Sequence, residues 1–302
     1  MNVKRISFLG IRARSAQGFT LIEILVASAV MALLVGLVIT ITSQVLNVWN
    51  RSGGRLSANQ EARIAMELLT QDLETAIFRN NGLQWFLLEN DEFEGPSGTF
   101  TNTVRIRLFT PALDRPDGPG DICGVSYALD YLNPVTGTTT GERQFILYRR
   151  VNTPTSTFTS LMGAGPQDSL ATPNILPGDA NTATWQVDRQ QDFLVANVVK
   201  FQVDIYAERP GSTTGISAGP ITPARFGGPN ASIGPGVIDA EGFPLPRPLF
   251  ADIKLRVLSS EGANILQGRQ SIGSVTSQEF DDIIREHSTT FIRRVSFMNR
   301  PF

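Results

Sequence analysis

The chain has 302 residues, 41% of them apolar, and a net charge of −2, values that suit a folded globular body and give no overall basic character to attract nucleic acid. Its one cysteine, Cys123, excludes an intrachain disulfide, and with a single histidine, His287, a zinc site built from Cys and His is not expected. The charge is unevenly placed: residues 1–18 carry Lys4, Arg5, Arg12 and Arg14 and no acid, so the remainder holds 22 basic and 28 acidic residues.

A basic leader ahead of an apolar run is a targeting signature. The run is "FTLIEILVASAVMALLVGLVITIT", Phe19 to Thr42, with Glu23 as its only charge. As a helix these 24 residues reach roughly 36 Å, beyond the ~30 Å of a bilayer's hydrocarbon core. The positive-inside rule keeps the leader cytoplasmic and puts the rest of the chain outside. An ordinary secretory signal fits poorly, because the small residue, Gly18, precedes the apolar run instead of following it. A carboxylate at Glu23 is costly in lipid and calls for a partner.

The stretch "RSAQGFTLIEILVASAVMALL" closely resembles the class III leader of type IV prepilins and of type II secretion pseudopilins. The resemblance implies that a prepilin peptidase cuts after Gly18 and N-methylates Phe19, so that residues 1–18 are removed and Glu23 becomes the fifth residue of the mature chain. Cleavage creates a cationic amine at Phe19. In a staggered bundle of parallel helices that amine can approach the Glu23 of a neighbour, which lowers the cost of both charges. Glu23 is then an assembly residue that sets register and recruitment.

Residues 19–50 are expected to form the transmembrane and assembly helix, with Trp49, Arg51 and Arg55 as anchors at its far interface. Gly53-Gly54 is expected to interrupt or bend the helix. A periplasmic head then spans 55–302 and opens with an amphipathic helix over 56–80. Ala65, Leu69, Leu73 and Ala76 form its buried stripe, widened by Ile64, Leu68 and Ile77, while Glu61, Arg63, Asp72 and Glu74 read as a solvated face.

Strands follow as a β-meander over about 104–260. They are "VRIRLF" (104–109), "GVSYALDY" (124–131), "RQFILYRRV" (143–151), "VVKFQVDIYAE" (198–208) and "FADIKLRVLS" (250–259). Their one-sided alternation predicts antiparallel sheet covered by the amphipathic helix. Residues 152–184 and 210–248, the latter with 16 Gly or Pro, read as long surface loops. The C-terminal region, about 277–298, reads as a short helix and a strand at the sheet edge, with His287 at the edge of the core. The predicted fold class is α+β.

The order of elements resembles the J-type minor pseudopilin of type II secretion, which carries a "Y-x-L" strand and an "L-x-R" strand, here Tyr127–Leu129 and Leu147–Arg149. The longer Gly/Pro-rich insertion and the tail "REHSTTFIRRV" depart from that family, and the tail is similar to pseudopilin-like cassette proteins of Verrucomicrobia. The resemblance implies a type IV pilin-like subunit at the tip of a pseudopilus, working in protein export. Its expected partners are prepilin peptidase, I- and K-like minor pseudopilins, the major pseudopilin and inner-membrane lipid, with the chain anchored once in that membrane. A minor pilin of a type IV pilus or DNA-uptake system is the alternative.

No enzyme activity and no cofactor are expected. "GISAG" (215–219) has the letters of a nucleophile elbow, and Ser217 with Asp252 or Asp281 and then His287 even gives the order of a membrane-anchored hydrolase. The setting lacks the strand before and the helix after that the elbow needs. A Cys123–His287 thiol dyad has no electropositive surroundings. Asp188, Asp192, Glu208 and Asp239 have no calcium-ligand spacing, and no metal is expected.

Overall fold

The computed structural model describes residues 20–79, 81, 83–111, 122–158, 192–208, 220–227, 231–234 and 246–298. It divides into two compact units, Met1–Ser52 and Gly53–Phe302.

α1 runs over Leu21–Glu74, so its first part supplies the described helix of the first unit and its last part belongs to the second. From Leu21 to Leu46 every side chain is exposed, and this segment is long and apolar enough to cross a membrane, about 39 Å at 1.5 Å per residue. Helix continues through Gly53 and Gly54, so of the expected interruption or bend the interruption does not occur. Each glycine costs about 1 kcal/mol relative to alanine, too little to stop so long a helix.

The second unit is α+β. Ala62, Ala65, Leu69 and Leu73 of α1 are fully buried, whereas Ile64 is 57% exposed and lies off the stripe. α1 ends at Glu74, short of the expected residue 80. Tertiary hydrogen bonds take over there: the Ile77 N–H donates to Phe109 O at 2.8 Å, and the Thr75 and Thr110 hydroxyls lie 2.6 Å apart.

Among the described residues nine strands form two antiparallel sheets where one meander was expected. They are β1 (Phe86–Gly95), β2 (Gly98–Thr110), β3 (Cys123–Leu132), β4 (Gln144–Val151), β5 (Phe193–Ala196), β6 (Val198–Glu208), β7 (Ala224–Phe226), β8 (Arg247–Leu258) and β9 (Ser288–Ser296). The first sheet has the order β5-β4-β3-β2-β1-β7 and the second β6-β8-β9. One residue makes the division. Asn197 sits in the left-handed region at φ 61°, a conformation asparagine tolerates. Its N–H donates to Phe145 O of β4 at 2.6 Å, and its carbonyl accepts from Leu258 N of β8 at 2.8 Å. The chain thereby leaves β4 and joins β8 within the apolar run "FLVANVVKF".

Three further differences have physical causes. β1 is an additional strand whose acids are matched across the sheet: Asp91 takes both contacts of Arg105 Nη2, at 2.8 and 3.0 Å, and Glu89 accepts from Arg225 of β7 at 2.8 Å. β7 lies inside the stretch 210–248 expected to be loop, where it pairs with Phe86–Leu88. A helix, α2 (Ser260–Ile272), precedes the expected C-terminal helix α3 (Ser277–His287), and its N-terminus is capped by Ser259, which accepts from Gly262 N at 3.2 Å.

The main core gathers α1 and the inner faces of both sheets, including Phe86, Ile106, Tyr127, Leu147, Phe201, Ile253 and Leu255. A second cluster, with Tyr131, Phe145, Leu258, Leu266, Phe280 and Ile284, seats α2 and α3 on the end of the sheets. Burial of each large side chain contributes about 1.5–3 kcal/mol.

Candidate functional site

Each unit contributes one arrangement that bears on function. At the head of α1, Thr20 precedes the helix, and its N–H and hydroxyl both donate to Glu23 Oε2 at 3.0 Å. In return the Glu23 N–H donates to Thr20 Oγ1 at 3.3 Å. This is a capping box, which satisfies backbone donors that a helix start leaves orphaned. The sequence carried its signature, Thr-x-x-Glu before an apolar run, and reading Glu23 only as a charge in lipid missed it. Glu23 Oε1 makes no hydrogen bond among the described residues. The expected cleavage pair, Gly18 and Phe19, lies outside the described residues.

In the second unit α1 is fastened to the sheet by a buried polar triad. Asp72, expected on a solvated face, is instead 2% exposed. Its Oδ2 accepts from Arg149 Nε at 2.8 Å and its Oδ1 from Arg149 Nη2 at 3.1 Å, a two-pronged ion pair. The Tyr127 hydroxyl donates to Asp72 Oδ2 and lies 2.9 Å from Arg149 Nε. Tyr127 and Arg149 are direct cross-strand partners on β3 and β4, as are Leu129 and Leu147. The two strand motifs therefore face each other and aim at one carboxylate of α1. Burial, and next the negative charge of Asp72, push the Tyr127 hydroxyl well above its ordinary value, so it stays protonated and donates. The helical period correctly assigned the stripe Ala65–Leu69–Leu73. Asp72 adjoins that stripe, and only its partner 77 positions on makes it an interior residue.

Of the hydrolase reading, the described residues Asp252, Asp281 and His287 are not brought together. Asp252 is held by Arg294, with contacts of 2.7 and 2.8 Å, on the outer face of the second sheet. His287 adjoins Ser288, which pairs with Leu258. Six residues of β8 separate Leu258 from Asp252, roughly 20 Å. Asp281 lies six residues before His287 on α3, about 9 Å along the axis. The His287 ring is enclosed, with Glu261 and Glu286 carboxylates at 3.8 and 3.9 Å. A Cβ on Gly262 would come within 2.6 Å of His287 Cβ, so α2 packs there because position 262 has no side chain. Cys123 is buried at the start of β3. Ser217 lies outside the described residues, as do Asp188 and Asp239. Among the described residues no group of three or more His, Cys, Asp or Glu side chains could hold a metal ion.

Residues 13–39 match the family model described as the prokaryotic N-terminal methylation motif. The chain is type IV pilin-like, with a class III leader. Behind the leader the chain has a long apolar helix followed by antiparallel sheet. Among solved structures, a type IV-like pilin from Thermus thermophilus aligns with 80% of this chain and 96% of that chain, at 12% identity and a TM-score of 0.38, a likeness too distant to carry function. No curated protein matches the sequence. The leader motif makes the pilin-like chain a candidate structural subunit processed by prepilin peptidase.

Proposed function

We propose that this pilin-like chain is a J-like minor pseudopilin, an assembly subunit at the tip of a type II secretion-type pseudopilus. Prepilin peptidase cuts between Gly18 and Phe19 and methylates the new N-terminus. Glu23 caps its own helix through Oε2 and offers Oε1 to the Phe19 amine of a neighbouring subunit. The apolar half of α1 anchors the chain once in the inner membrane, and the sheet-bearing unit stands in the periplasm. I- and K-like minor pseudopilins join it to prime assembly.

The observation that carries the J-like reading is the convergence of Tyr127 and Arg149 on Asp72. The two strand motifs quoted for that family are here the pieces that fasten the assembly helix to the head. A buried carboxylate matched by arginine and tyrosine fixes the helix in one rotation and one axial position, which a subunit that stacks by its helix requires. The test is membrane capture. The full chain, coexpressed with prepilin peptidase and with tagged I- and K-like subunits, is expected to be retained with both. Failure to retain either partner from membranes in which all three are processed overturns the reading.

A further inference from the structure

Beside α1 in the second unit runs a cleft of about 360 Å³ lined by Arg63, Met66 and Glu67 of α1 and by Phe291, Ile292 and Arg293 of β9. Among the described residues β9 is the edge of its sheet, nine residues long and paired only with β8. Its outer backbone groups make no backbone hydrogen bond among the described residues. The cleft has an apolar floor, Met66 and the half-buried Phe291, and Ile292 at its lip is 66% exposed. Arg63 and Arg293 are exposed and form no ion pair among the described residues, whereas Arg294, on the other face of β9, is held by Asp252. Glu67 supplies the single negative charge, so the lining is net positive.

We propose that this cleft docks an extended segment of a partner subunit, one that carries acidic and apolar residues and adds to β9 as a further antiparallel strand. The proposal rests on the assembly-subunit reading for its partner. An unpaired edge supplies a ladder of main-chain hydrogen bonds to an incoming strand, and side-chain pockets beside it supply the choice of sequence. Acidic side chains of the segment meet Arg63 and Arg293. Its apolar side chains cover Met66, Phe291 and Ile292. The complementarity is electrostatic in selection and main-chain in affinity.

The test uses the full chain in detergent and two fluorescent octapeptides, one alternating Glu and Val and the other Lys and Val. Anisotropy is expected to show the Glu–Val peptide binding at least about tenfold more tightly than the Lys–Val peptide. The double variant Arg63→Glu/Arg293→Glu, both sites being exposed, is expected to reverse that preference with the fold intact by circular dichroism. Amide exchange in β9 is expected to slow when the Glu–Val peptide is added. The proposal is overturned when neither peptide binds, when the two bind alike, or when binding leaves the β9 amides unprotected. Self-association through β9 without peptide, seen by light scattering, also overturns it, because the occupant is then a second copy. Membrane capture of the I- and K-like subunits is a separate readout, so a failure there is distinguishable from a failure of peptide binding.

Discussion

Replacing Asp72 with asparagine keeps the shape of the side chain and removes its charge. Arg149, whose side chain is 6% exposed, then loses the two-pronged carboxylate partner that α1 supplies. Breaking such a pair from one side costs about 3–5 kcal/mol, because the remaining charge keeps its desolvation penalty and loses its compensation. At about 1.4 kcal/mol per tenfold, the folded population relative to the unfolded falls by two to three and a half orders of magnitude. Tyr127→Phe removes the hydroxyl that donates to Asp72 and accepts from Arg149 Nε, and is expected to cost about 1.5–3 kcal/mol. The triple replacement Asp72→Leu, Tyr127→Phe and Arg149→Met removes every polar member at once and is expected to restore most of the loss, since a packed apolar set avoids desolvation altogether. Amide exchange of β3 and β4 in the full chain in micelles reads these free energies. A loss below about 1 kcal/mol for Asp72→Asn, the range of exposed ion pairs, would refute the clamp and leave α1 held by its apolar stripe alone.

Glu23→Gln keeps the capping box and removes the charge, whereas Glu23→Ala removes both. If the charge recruits neighbours, both variants lose partner capture from membranes; capture that survives in the Gln variant shows that the cap alone matters. Hydrogen bonding to Arg294 holds the Asp252 carboxyl below its ordinary value. A depressed folded-state value means that this pair stabilises above the usual carboxylate pKa of about 4 and fades as pH falls through the lowered value. Thermal midpoints should therefore decline less steeply on acidification in Asp252→Asn than in the parent, and identical slopes would contradict the pairing. Asp91 works in the opposite sense, since burial raises it against the pull of Arg105. Gly262→Ala forces a Cβ against His287 and Leu258 and is expected to cost about 1–3 kcal/mol, visible as faster exchange of the α2 amides; unchanged exchange would mean that α2 packs more loosely than described.

Much of this fold was legible because period and charge are local signals. The apolar run from Phe19 marked the long apolar part of α1, and alternation in "VSYALDY" and "VVKFQVDIY" marked β3 and β6. What stayed hidden depends on partners distant in sequence. β1 carries Glu89, Asp91, Glu92 and Glu94, a composition unlike a strand, until Arg105 and Arg225 are set opposite. Asp72 looked solvated because one turn of helix says nothing about an arginine on β4. The split into two sheets turns on the backbone conformation of Asn197, and α2 was obscured by the two glycines within it, poor helix formers that carry no apolar pattern. Glu23 was the opposite case, a local signal, Thr-x-x-Glu, overlooked because its charge drew attention to distant partners.

The proposed assembly role depends on processing of the leader. The first residue of the mature chain, sequenced after coexpression with prepilin peptidase, tests it most directly. N-methylated Phe19 at that position is the predicted result. A chain that still begins at Met1, or one cut at any other bond, contradicts it.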